Sequence, residues 1–224
     1  MGNTKSSTRS LRGLRVALIA AMALASTACS LNRKDKGALL GAAAGAAAGG
    51  AIGNRAGSTA RGAIIGAVVG GSAGAIIGHQ MDQQAEELVG EIPGAVVERV
   101  GEGIQITFDS GLLYDFDSSA IRTAAGVNLQ NLATSLKKYS NTDLLIVGHT
   151  DSQGASGYNE GLSLRRANSA SAYLEMQGVS GQRIFTNGKG ETEPVATNDT
   201  ELGRERNRRI EVAIYASAAA GGSR

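Results

Sequence analysis

Two kinds of apolar pattern divide the chain. From residue 37 to residue 78 the spacing is set by glycine. It recurs at 37, 41, 45, 49, 53 and 57, and again at 62, 66, 70, 74 and 78. Each run has a period of four, and Ala, Ile, Leu and Val fill the spaces. From residue 95 the pattern becomes that of strands and amphipathic helices. Val96-Val97 and Ile104 to Phe108 predict strands around a Gly101-Glu102-Gly103 turn. Leu112 to Phe116 is apolar-rich, and Asp117, Ser118 and Ser119 can cap the helix that follows. In that helix Ile121, Ala125, Leu129, Leu132, Leu136 and Tyr139 form one stripe. Leu144 to Val147 is a continuous apolar run and predicts a buried strand. Ile184 to Thr186 predicts a short strand, and Ile210, Val212 and Ile214 alternate as the last one. The order strand, helix, strand, helix, strand, strand predicts an α/β sandwich of a mixed β-sheet with helices on one face.

The stretch after Leu144 to Val147 holds the anomalous residues. The strand ends at Gly148, and a polar loop follows with His149, Thr150 and Asp151. A helix is predicted from near Tyr158. Stepping about 100° per residue puts Leu162, Ala167, Ala170, Tyr173 and Leu174 on one face. Arg166 falls inside that face, and Arg165 on the opposite side. An arginine in an apolar stripe is costly unless its charge is paired. Asp151, at the end of the preceding strand, is the candidate partner. One reading is a structural ion pair between loop and helix. The other is a site for a zwitterion, with Asp151 taking an ammonium group and Arg166 taking a carboxylate through its planar fork.

Gly148-His149-Thr150-Asp151, then Asn159, Leu162-Ser163 and Arg166-Ala167, resembles the signature of the OmpA-like peptidoglycan-binding domain family. Gly188-Lys189-Gly190-Glu191 before Pro194, and Asn207-Arg208-Arg209-Ile210-Glu211, agree with it. The resemblance covers roughly residues 102 to 216. Ala170 stands where larger aliphatics are common in the family. The resemblance implies that Asp151 and Arg166 hold the diaminopimelate of a peptidoglycan stem peptide. It also carries Thr150, Asn159, Asn207 and Arg208 to the same cleft, with Asn159 fixing the loop. His149 is expected as a wall residue beside that loop.

The N-terminal part reads differently. Residues 1 to 28 have a basic start and an apolar run from Val16 to Ala25, the form of a signal peptide. Ala25-Ser26-Thr27-Ala28-Cys29 resembles a lipobox, which implies lipidation of Cys29 as the first mature residue. Ser26 stands where that motif usually has leucine, and ordinary cleavage after Ala28 is the alternative. The same resemblance implies, from Ser30 after the cysteine, export to the outer membrane. Eleven glycines make no sense in an isolated soluble helix, since each costs about 1 kcal/mol against alanine. They do where two backbones approach closely. The pattern resembles a glycine-zipper helical hairpin over residues 37 to 78, transmembrane or membrane-associated. A Gly/Ala linker and a hairpin packed on a periplasmic partner remain alternatives. Residues 79 to 94 are expected as a linker that continues the second helix for a few turns, 95 to 216 as the domain, and 217 to 224 as a disordered tail.

Composition narrows the functional classes. All eight aromatic residues lie between Phe108 and Tyr215, so the packed core is expected in the C-terminal half. The formal charge of +2 includes Lys5, Arg9, Arg12 and Arg15 of the leader. The rest carries 18 basic against 20 acidic side chains, which disfavours nucleic acid as a partner. One cysteine and two distant histidines give no disulfide and no metal-ligand spacing. No cofactor is expected, and no nucleophile elbow or phosphate loop points to an enzyme. The sequence therefore predicts an outer-membrane lipoprotein with its C-terminal domain in the periplasm. Its expected partners are peptidoglycan and outer-membrane lipid, with self-association through the glycine zipper. The alternative is a glycine-zipper pore or a component of an envelope complex.

Overall fold

A computed structural model of the chain describes residues 58–69 and 75–217. The leader, Cys29 and the first glycine run lie outside those residues, as does the tail beyond Ser217. Helix α1 is Thr59–Val69 and α2 is Ala75–Glu91. Strands β1 (Ala95–Val100) and β2 (Gly103–Asp109) form a hairpin, and a short α3 (Ser110–Leu113) follows. Next come α4 (Gly126–Lys138), β3 (Thr142–Gly148) and the long α5 (Ser156–Met176). The chain ends with β4 (Ile184–Gly188), α6 (Glu201–Asn207) and β5 (Arg209–Ala216). The five strands make one sheet in the order β1-β2-β5-β3-β4. The β3–β4 pair is parallel and the others are antiparallel, so the sheet is mixed as expected.

The period of two sorts the strands. Ile104, Ile106 and Phe108, Leu144 and Ile146, and Ile210, Val212 and Ile214 all enter one core. Leu129, Leu132 and Leu136 of α4 and Ala167, Ala170 and Leu174 of α5 cover them. The other face carries Val147 and Ala213, with Leu145 and Tyr215 beside them. That face would be half bare if all helices lay on one side. Instead Ala60 and Ile64 of α1 seal it. Within the domain α4 and α5 cover one face as expected, and α1, from the preceding glycine-rich segment, covers the other. The physical reason is β5, whose residues are buried on both sides except Tyr215.

The segment expected as a linker is also part of the domain. Met81, Ala85, Leu88 and Ile92 fill the main core against α4 and the β1–β2 hairpin. Their spacing gives α2 one apolar face. The second glycine run thus contributes to two helices, α1 on one face of the sheet and α2 on the other, in place of one hairpin arm. Among the described residues no helix is long and apolar enough to cross a membrane.

Helix α5 presses onto the end of β3. A Cβ on Gly148 would stand 2.1 Å from the carbonyl oxygen of Ser163. Gly148→Ala is therefore expected to push α5 from the sheet. The cost should be about 1–3 kcal/mol, as for other overpacked sites. Thermal melting checks this, with a Tm drop of several degrees as the outcome.

Candidate functional site

The loop after β3, α5 and the turn before β5 meet at one end of the sheet. Asp151 is buried, and its carboxylate is held from two sides. The Gln153 amide donates to Oδ1 at 2.9 Å, and Arg208 Nη1 donates to Oδ2 at 2.7 Å. The partner expected for Asp151 was Arg166, and the structure gives Arg208 instead. The reason is register. The β5–β3 pairing sets Gly148 beside Ile210, so the residue just before β5 lands beside the loop. Arg208 also donates to Glu201 at 2.8 Å. Burial opposes its charge, but these two carboxylates raise its pKa above the ordinary value.

Arg166 is only 5% exposed. Its Nε donates to the Ser118 carbonyl at 2.8 Å, and its guanidinium lies over the Tyr114 ring, 5.3 Å from the centroid. The Tyr114 hydroxyl donates back to the Arg166 carbonyl at 2.6 Å. Burial lowers the Arg166 pKa, while Tyr114, Asp117 and Tyr158 favour its charge and Arg208 opposes it. Its terminal amino groups make no hydrogen bond among the described residues, and neither is sealed from solvent. Arg165 lies on the outer side, over the Tyr158 ring.

The remaining expected residues frame the loop. The Thr150 hydroxyl donates to the Asp151 carbonyl, and its amide to the Gly190 carbonyl at 2.9 Å. Asn159 Nδ2 donates to the Asp151 carbonyl at 3.3 Å and to Glu191 Oε2 at 2.7 Å. Asn159 therefore ties the two loops together. Asn207 is fully buried. Its oxygen accepts from the Val195 and Ala196 amides, and its nitrogen donates to the Ala196 carbonyl and to Asn198. All four of its hydrogen-bonding positions are used internally, so it braces the 195–198 loop. Asp117 and Tyr158 were not among the expected site residues. Asp117 has a positive φ of 55° and accepts from the Tyr158 hydroxyl beside Arg166. Its place after an apolar run reads in the sequence as a helix cap, which hides this role.

His149 does not line the loop. Alternation along β3 turns it to the second face, fully buried, with Nε2 3.7 Å from Glu211 Oε2. Arg209 donates to the other Glu211 oxygen at 2.8 Å, and Ser58 to the first at 2.5 Å. Burial opposes ionisation of Glu211, yet His149, Arg209 and Ser58 hold its pKa down at about 2. Burial also holds the His149 pKa below its ordinary value. Among the described residues no group of acids, His and Cys has the geometry of a metal site.

The family model described as OmpA family matches residues 113–208. This is an OmpA-like domain. A second family model, the YMGG-like Gly-zipper, matches residues 10–82. The chain is 39% identical over 113 residues to outer membrane protein A of Bordetella avium, covering 50% of this chain and 58% of that protein. It is 36% identical over 121 residues to the probable lipoprotein YiaD of Escherichia coli, covering 54% and 55%. It is 39% identical over 104 residues to the peptidoglycan-associated lipoprotein of Buchnera aphidicola, covering 46% and 60%. The chain thus spans roughly a third to three fifths of the length of the first curated relatives it matches. Among solved structures, the cell wall anchor of the T6SS from Pseudomonas aeruginosa superposes with a TM-score of 0.52 at 27% identity. It covers 61% of this chain and 96% of that one. A MotB-like protein of Desulfovibrio vulgaris gives a TM-score of 0.56 at 21% identity, over 63% and 94% of the two chains, and shares the fold.

A pH dependence follows from His149. Its folded pKa is lowered, so the unfolded chain binds the proton more readily. Stability is then full above the ordinary histidine value of about 6.5 and falls as the pH drops below it. The slope from one such group is at most about 1.4 kcal/mol per pH unit. The groups facing His149 are Glu211, Arg209 and Glu193. His149→Gln should flatten the fall in Tm between pH 6.5 and pH 5, measured by melting at each pH.

Proposed function

We propose that the OmpA-like domain binds peptidoglycan noncovalently, through the diaminopimelate of the stem peptide, and that the chain ties the outer membrane to the cell wall. The observation that carries this reading is the state of Arg166. It is a buried guanidinium with Nε bound to the Ser118 carbonyl and no hydrogen bond on its terminal donors among the described residues, and Asp117 and Arg208 are near enough to act on its charge. Burying a charge without a full set of partners is costly, and a ligand carboxylate would supply them. Diaminopimelate bears an ammonium and a carboxylate on one carbon. Arg166 takes the carboxylate. Asp151 takes the ammonium, its carboxylate held in place by Arg208 and the Gln153 amide. Names of relatives support the wall as partner, since one is a peptidoglycan-associated lipoprotein and another a peptidoglycan-binding protein. The reading is of a binder and not of a catalyst.

Attachment to the membrane is proposed through lipidation of Cys29. Two or three acyl chains are needed for stable retention, because one binds only marginally. The lipoprotein names among the relatives support this.

Removing one member of a buried charged pair costs about 2–5 kcal/mol, and about 1.4 kcal/mol is a tenfold change. Asp151→Ala and Arg166→Ala should therefore weaken sedimentation with isolated cell walls by about 30-fold or more. Arg165→Ala, on the outer side of α5, should bind as wild type. Free diaminopimelate should compete with the wild type. Folded Asp151→Ala and Arg166→Ala variants that still sediment normally would show the site to be elsewhere. For the anchor, Cys29→Ala should carry no label from a palmitate analogue fed to cells, and a normally labelled variant would exclude Cys29.

A further inference from the structure

Helix α1 sits on the sheet face opposite the main core, yet it is wired to the cleft. Ser58 caps it, since its hydroxyl accepts from the Arg61 amide at 3.2 Å and donates to Glu211 at 2.5 Å. The Thr59 amide donates to Glu193 Oε2 at 2.9 Å, and the Thr59 hydroxyl donates to the other oxygen of the same carboxylate. Two carboxylates therefore meet the positive end of the α1 dipole. We propose that α1 is a removable strap whose seating on the sheet sets how tightly the Asp151–Arg166–Arg208 cleft holds its ligand, with Ser58, Thr59 and Glu193 as positioning residues. This inference rests on the wall-binding reading of that cleft.

Two threads run from the strap to the site. Glu193 ends the loop that begins at Lys189, and Lys189 donates to the Gly148 carbonyl at 3.0 Å. Gly190 in that loop accepts from the Thr150 amide and takes the Ser163 hydroxyl as acceptor for its own amide. Glu191 accepts from Asn159, which also holds the Asp151 carbonyl. The second thread starts at Ser58 and passes to Glu211 and Arg209. Arg209 follows Arg208 directly, and its carbonyl accepts the His149 amide at 3.0 Å. Both threads end on the groups that hold Asp151.

The apolar contacts of the strap lie outside the main core. Ala60 and Ile64 belong to a small cluster with Val147 and Ala213, separate from the main core. Ile64 lies in the space left by Gly103, where a Cβ would stand 2.6 Å from Ile64 Cγ2. The outer ion pair, Arg61 with Glu98, is about half exposed on both sides and adds little. The strap carries two of the period-four glycines, Gly62 and Gly66, and at 11 residues it is about 16 Å long. Lifting α1 from the sheet removes the donors from Glu193 and Glu211 and loosens the loop. By linkage, ligand in the cleft holds α1 down.

The test uses the full chain in detergent micelles, with soluble muropeptides released from isolated cell walls as probe. Amide exchange of residues 59–67 is followed with and without the probe, and probe affinity is measured for variants whose melting confirms a folded domain. Saturation with muropeptide should slow exchange in α1. Ser58→Ala and Glu193→Gln should weaken binding by about fivefold or more. Thr59→Ser, which keeps the hydroxyl, should bind as wild type. Unchanged α1 exchange on saturation overturns the inference. So does wild-type affinity in a Ser58→Ala chain whose α1 amides exchange freely. Arg166→Ala separates the two readings. If it binds like wild type, the cleft itself is misassigned. If it loses binding while the strap variants keep theirs, only the strap fails.

Discussion

The contact on which the cleft depends is the crossing of α5 over the end of β3. It brings the Ser163 backbone so close to Gly148 that no side chain fits there. That approach fixes the height of α5, and Arg166 is carried by the next turn of the same helix. The loop from Gly148 to Asp151 starts at the same point. One close contact therefore sets the distance between the arginine and the aspartate. The Ser163 hydroxyl at the crossing also receives the Gly190 amide and so holds the third loop in place.

Electrostatics divides the sheet into two sides with different demands. On the cleft side, charges meet water and one another, and Arg208 joins Asp151 to Glu201 at the rim. On the second face, Arg209, Glu211 and His149 are almost fully covered. A buried pair of this sort holds a fold together only when its geometry is complete, because each ion has lost its hydration. Glu211 meets that condition through Arg209 and Ser58. His149 contributes an imidazole without a hydrogen-bond partner on either nitrogen, so it is tolerated as a neutral ring.

The sequence made much of this readable. The period of two in β2 and β5 and the stripe in α4 gave the sheet and its main core. Arg166 inside an apolar face identified a buried charge before any coordinates. Its surroundings were not readable, because Ser118, Tyr114 and Arg208 reach the cleft from distant parts of the chain through strand register. His149 was misplaced for a related reason, since one step of alternation decides which face a side chain meets. The second glycine run was the least legible part. Ala60, Gly62, Ile64 and Gly66 suit close packing on any flat apolar surface, and a strand face satisfies that spacing as a neighbouring helix does. The buried face of α2 was visible in Met81, Ala85 and Leu88, but the polar residues between them concealed how deep it lies.

The path of any load applied through the residues before Ser58 is set by topology. Such a load enters at Ser58 and Thr59, which are bonded to Glu211 and Glu193. It therefore reaches the central strand β5 and the loop that carries Glu193 before it reaches β1 at the sheet edge. An edge strand pulled directly would peel from the sheet one rung at a time. Attachment at the centre instead spreads the load across β5, which is paired along both sides to β2 and β3. The chain's entry over the second face thus shields its weakest edge from being unzipped.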